Sequence, residues 1–249
     1  MKHYIEIISD YLLNNGFSFD ETLGQAIQDR MNGETKELSY HVRALVYAML
    51  SKQRPWGPIE DNYSNIRKIF FEWNVDKIKK ASPDYFIEEL TKIKCGNRSI
   101  KDQMNDLKYN IDVFEKIEKK FGDMDSFINK ESPSSIEVLL SDSSSEYKIK
   151  GLGKVLAQEY LRNIGVDLAK ADVHLKRFFG GERMGKGNHN PATKEETDRQ
   201  IDAISKETGL DKWQIDQIVW QFCAVDYANI CGATPKCMGC PIKEQCSRK

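Results

Sequence analysis

Ile149-Lys150-Gly151-Leu152-Gly153-Lys154-Val155-Leu156-Ala157 puts two glycines around one apolar residue, immediately before a helical pattern. Leu152, Val155, Leu156, Tyr160, Leu161 and Ile164 then recur at the spacing of one buried helix face. A glycine turn that opens a helix presents backbone N–H groups and the positive end of the helix dipole to whatever lies outside. An anionic phosphate can sit there, with Lys150 and Lys154 adding charge. Taken alone, a Gly-x-Gly is better explained as a plain interhelical turn.

Outward from this stretch the same periodicity continues. Val42, Leu45, Val46, Met49 and Leu50 form one helical face, and Ile201 with Ile204 begin another. Trp213, Ile218, Val219, Phe222 and Cys223 make a third. Alternating segments long enough for a sheet are missing, so the expected class is all-α. Two prolines and a glycine in residues 51–58 must end the preceding helix, and Ser82-Pro83-Asp84 reads as a helix start. Residues 132–145 read as a serine-rich surface connection around a short apolar run, and residues 180–191 as the most loop-like segment.

The 249 residues carry 37 Lys+Arg against 38 Asp+Glu, with 40% hydrophobic residues. That length allows one large or two smaller cores. The balanced charge excludes a long basic tail but not a local basic face. No apolar run approaches the ~20 residues of a membrane helix, and the first residues lack a signal-peptide pattern, so a cytoplasmic protein without membrane contact is expected. Thiols stay reduced there, which turns clustered cysteines toward metal.

Cys231, Cys237, Cys240 and Cys246 follow the spacing C-x5-C-x2-C-x5-C. The central pair can bite one centre from a tight turn, while the flanking loops, shaped by Gly232, Pro235, Gly239 and Pro241, return the outer thiolates. Four thiolates without histidine suit zinc or an iron–sulfur cluster. Cys223 reads as a buried core residue, and Cys95 has no ligand partner nearby in sequence.

About twenty residues after the glycine turn comes Lys170-Ala171-Asp172-Val173-His174-Leu175-Lys176-Arg177, and an upstream helix ends Met49-Leu50-Ser51-Lys52-Gln53. With the glycine turn and the cysteine segment, these four motifs in order resemble the endonuclease III-like group of helix-hairpin-helix DNA glycosylases. The resemblance covers roughly residues 40–246. It implies a two-lobed all-α fold: a helical barrel at 42–155 that includes the hairpin, and a cluster lobe from 1–41 plus 156–249. It further implies that Asp172 is the catalytic aspartate and that Gly151 and Gly153 bind phosphate. Gln53 would enter the space left by an extruded base, in a cleft with Asp172 on its other side. Cys231, Cys237, Cys240 and Cys246 would hold a 4Fe-4S cluster, with His174 and Arg177 as structural support. The expected partner is double-stranded DNA with a damaged or modified base, bound by a monomer. Trp56 would stack on a base or pack between helices.

The chain also departs from the family pattern. Val155 stands where bifunctional members have the Schiff-base lysine, and Lys154 lies one position earlier, about 100° round the helix. A monofunctional glycosylase without efficient lyase activity is therefore expected. The first cysteine spacer is one residue shorter than the family's, and Lys150 replaces the usual hairpin proline. These departures keep open a noncatalytic iron–sulfur DNA-binding module as the alternative.

Overall fold

The computed structural model describes residues 2–248, which form helices joined by turns; among the described residues there is no β-strand. The local signals act as anticipated. Ser82 caps helix Pro83–Lys92 by accepting the Asp84 N–H at 3.2 Å, with proline at the first turn. Helix Leu38–Leu50 stops at the residue before Ser51, ahead of the two prolines. The serine-rich stretch differs from its expected form, because it contains helix Pro133–Ser141. Its serines serve the helix start: the Ser132 hydroxyl accepts the Ser135 N–H, and Ile136 and Leu140 face inward.

The chain divides into two compact units, Met1–Gly24 with Asp167–Lys249, and Gln25–Val166. Within the second, helix Leu38–Leu50 packs against Lys154–Asn163 and Ile100–Phe121. Val42, Leu45, Val46, Met49 and Leu50 are fully buried there, facing a core that includes Phe114, Tyr160 and Leu161. Gly165 is required at the end of this unit's last helix. Its φ is +84°, and an added Cβ would overlap the Ala26 carbonyl.

A polar knot is sealed in the same core. Asp125 pairs with Arg30, accepts the Lys36 N–H at 2.5 Å, and lies 3.5 Å from His41 Nε2. His41 Nδ1 lies 2.8 Å from the buried Tyr160 hydroxyl. Burial raises the Asp125 carboxyl, but His41, the Lys36 N–H and Arg30 outweigh it and bring its pKa down to about 2.

In the other unit, helix Tyr4–Asn14 packs on Lys212–Cys223, which also meets Val173–Phe178 and Lys194–Thr208. Ile5, Ile8, Leu12, Phe178 and Phe222 fill the space between them. Residues 180–191, read as the most loop-like segment, hold no helix, and the segment is tied by backbone hydrogen bonds: Gly181 N–H donates to the His189 carbonyl and Met184 N–H to the Phe178 carbonyl, both at 3.0 Å. No helix of the described residues is long and apolar enough to cross a membrane.

Candidate functional site

The glycine turn joins helix Pro133–Ser141 to helix Lys154–Asn163. Gly151 has φ +79° and Gly153 is the N-cap; both are exposed, with nothing within 4 Å of where a Cβ would sit. Two side chains hold the turn from beneath. Fully buried Asn110, from helix Ile100–Phe121, accepts the Lys150 N–H at 2.8 Å and donates to the Lys150 carbonyl at 3.0 Å. The Lys148 ammonium donates to the carbonyls of Ser141 and Leu152. In a trans peptide the C=O and N–H of one unit point in opposite directions. Carbonyls 150 and 152 turned inward therefore aim the Gly151 and Gly153 N–H groups outward. Among the described residues neither amide donates to a protein acceptor. Of the two expected lysines, Lys154 is exposed as the first residue of its helix. Lys150 is shared, its ammonium 3.3 Å from Asp106 and 4.3 Å from the Tyr109 ring centroid.

Gln53 sits in the same unit, exposed on the turn after helix Leu38–Leu50, with φ +51°. A left-handed non-glycine residue is held there by its neighbours. Arg54 next to it donates to the carbonyls of Lys94 at 2.7 Å and Gly96 at 3.0 Å. Trp56 is half-buried, with its ring centroid edge-on at 6.4 Å from Tyr47 and 6.3 Å from Tyr63. Trp73 joins Tyr47 at 5.6 Å from a left-handed turn, Phe71–Trp73, in which all three residues have positive φ. Burial pushes the Tyr47 phenol up to about 12, so it stays protonated.

Asp172 lies in the other unit as the N-cap of helix Val173–Phe178. Its Oδ1 accepts the N–H groups of His174 at 2.7 Å and Leu175 at 3.2 Å, which leaves Oδ2 outside the cap. The carboxylate is half-buried and fixed in direction by its own helix. His174 is edge-on to Trp220 at 6.3 Å. Burial lowers its imidazole below the ordinary value, and its Nδ1 has no hydrogen-bond partner among the described residues.

Cys231, Cys237, Cys240 and Cys246 line one pocket in this unit. Among the described residues no three His, Cys, Asp or Glu side chains are grouped to hold a single metal ion. The lining contains no carboxylate and three cations, Arg183, Lys243 and Arg248. Four cysteine side chains spread round a cationic pocket fit an iron–sulfur cluster, which brings its own sulfides and net negative charge. Buried Arg183 donates to Cys231 Sγ at 3.3 Å and to the carbonyls of Cys231 at 2.7 Å and Gly232 at 3.1 Å. A hydrogen bond from Cys223 and the Arg183 charge hold the Cys231 thiol down at about 6, against its partial burial. Cys223 is thus a core residue whose thiol also meets Cys231. Cys95 is buried elsewhere, its thiol donating to the Pro58 carbonyl at 3.2 Å. Arg183 escaped the sequence reading, since Gly-Gly-Glu-Arg resembles any polar loop; so did Asn110 and Lys148.

No protein-family model matches the chain. A stretch of 110 residues is 37% identical to the 8-oxoguanine DNA glycosylase/AP lyase of Aquifex aeolicus (strain VF5), covering 41% of this chain and 47% of that protein. The chain thus spans about half the length of the curated relative it matches. Among solved structures, it is similar to the Methanocaldococcus jannaschii 8-oxoguanine glycosylase/lyase in complex with a 15mer DNA containing 8-oxoguanine. The TM-score is 0.59 at 16% identity, over 88% of this chain and 96% of that one. The chain has the fold of the helix-hairpin-helix DNA glycosylase superfamily.

Proposed function

We propose that the protein is a DNA glycosylase that extrudes a damaged base from duplex DNA and hydrolyses its N-glycosidic bond, with 8-oxoguanine the first lesion to test. The observation that carries this reading is the pair of outward N–H groups at Gly151 and Gly153, built at a helix start in a chain of glycosylase fold. Both similar proteins are named for 8-oxoguanine, which supports the choice of lesion.

In this reading the hairpin amides grip one DNA phosphate and fix the register of the strand. The target base must leave the stack, because its sugar is not accessible inside a duplex. Gln53, on its exposed turn, occupies the space left behind. As the glycosidic bond breaks, positive charge grows on the deoxyribose. The Asp172 carboxylate, aimed by the two N–H groups on Oδ1, stabilises that charge and orients water through Oδ2. Cys231, Cys237, Cys240 and Cys246 would hold a 4Fe-4S cluster, which supplies cross-linking and one-electron chemistry when bound.

Strand cleavage is a separate question. Val155 at the position of the family's lysine supports hydrolysis alone. The relatives' names include lyase, and Lys154 is exposed beside the hairpin, which favours a second reading with Lys154 as the Schiff-base amine.

The test is a panel of labelled duplexes, each with one lesion. Release of 8-oxoguanine or another base should fall by at least about a hundredfold in Asp172→Asn while duplex binding persists. Binding without release from any lesion would favour the noncatalytic module, and absence of DNA binding would end both readings.

A further inference from the structure

Asn110 and Lys148 lie outside every motif of the sequence, yet they determine which way the hairpin peptides face. Asn110 has no exposed surface, and both ends of its amide are used on one residue. The Lys150 N–H can only donate, so the Asn110 oxygen must face it and the Asn110 nitrogen must face the Lys150 carbonyl. Lys148 repeats the arrangement two residues on, with its ammonium against the Leu152 carbonyl and 2.7 Å from the Ser141 carbonyl. Lys148 is half-buried; burial lowers its amine while the nearby Asp142 carboxylate raises it, and its ammonium is directed onto the two backbone carbonyls.

We propose that Asn110 and Lys148 are positioning residues for anion binding: they sequester the carbonyls of Lys150 and Leu152, so that only the N–H groups of Gly151 and Gly153 meet a DNA phosphate. An inward-facing carbonyl that turned out would place a partial negative charge against the phosphate and remove a donor in the same rotation. The proposal rests on the DNA-binding reading above and assigns the hairpin's polarity to two side chains beneath it.

The experiment uses the full chain and a duplex carrying a stable abasic-site analogue. Each backbone phosphate near the analogue is neutralised in turn as a methylphosphonate, and binding is followed by fluorescence anisotropy. The wild-type protein should lose about tenfold in affinity at one phosphate or two adjacent ones, the size of one hydrogen bond to a charged group. Asn110→Ala should bind the unmodified duplex about tenfold more weakly and lose nothing further when that same phosphate is neutralised. Losses at other phosphates should remain as in the wild type. A merely structural role predicts the same additional loss at every phosphate, and that result, or undiminished binding by Asn110→Ala, overturns the proposal while leaving the DNA-binding reading intact. If the wild-type chain binds no duplex, that reading falls and the proposal with it. Where thermal melting shows Asn110→Ala unfolded, Lys148→Met puts the same question with the same outcomes.

Discussion

At the residue scale, carboxylates of one chemical type are set to different tasks by their surroundings. Asp172 spends one oxygen on its helix cap and keeps the other outside it, half-buried. Asp125 is spent wholly on structure, sealed against Arg30, His41 and the Lys36 N–H. Its folded pKa of about 2 lies below the ordinary value near 3.9, so the stability it contributes is present above about pH 4 and is lost as pH falls through 2. That contribution is about 2 kcal/mol, and urea titrations between pH 7 and pH 2 should show it vanish. Asp125→Asn should be about 2 kcal/mol less stable at pH 7 and show a flatter acid limb. The lyase question is also one of single residues. Borohydride treatment of the protein with an abasic duplex should trap no covalent adduct, because Val155 carries no amine. An adduct that disappears in Lys154→Ala would establish the second reading instead.

At the element scale, helix Ile100–Phe121 does more for the hairpin than the hairpin's own sequence reveals. One face carries Asn110 to the Lys150 peptide, and Phe114 one turn later stacks on Tyr160 with centroids 5.5 Å apart. Tyr160 belongs to helix Lys154–Asn163, so this aromatic contact fixes the helix that the glycine turn opens. Phe114→Ala should cost about 3–5 kcal/mol of stability, measured by chemical denaturation, since the residue is fully buried. The existence of these helices was legible from apolar spacing alone. Their partners were not: Asn110 and Lys150 stand 40 positions apart, and nothing in an Asn on a helix announces which peptide it will meet. The helix Pro133–Ser141 was missed for a related reason, because serine favours helix starts and loops alike, and only the inward-facing Ile136 and Leu140 decide between them.

At the scale of the whole molecule, the cysteine segment belongs to the unit formed by residues 1–24 and 167–249, where Ile242 is buried in one core with Ile5, Leu175 and Phe222. Protein purified without oxygen should carry about four iron atoms per chain, and Cys237→Ser should lower both the iron content and the yellow-brown absorbance. Stoichiometric zinc with a colourless protein would reject the cluster. By itself the sequence determined the all-helical class, the glycine turn before a helix, and the four-cysteine spacing. Each of these is a local pattern, set by periodicity or by the reach of a few residues of backbone. Tertiary structure alone decided that Arg183 would meet Cys231 across 48 positions, that Asn110 and Lys148 would turn the hairpin carbonyls inward, and that Asp125 would be sealed with Arg30 and His41. A buried polar group must find a partner wherever packing delivers one, and packing is a property of the folded chain, not of any window along it.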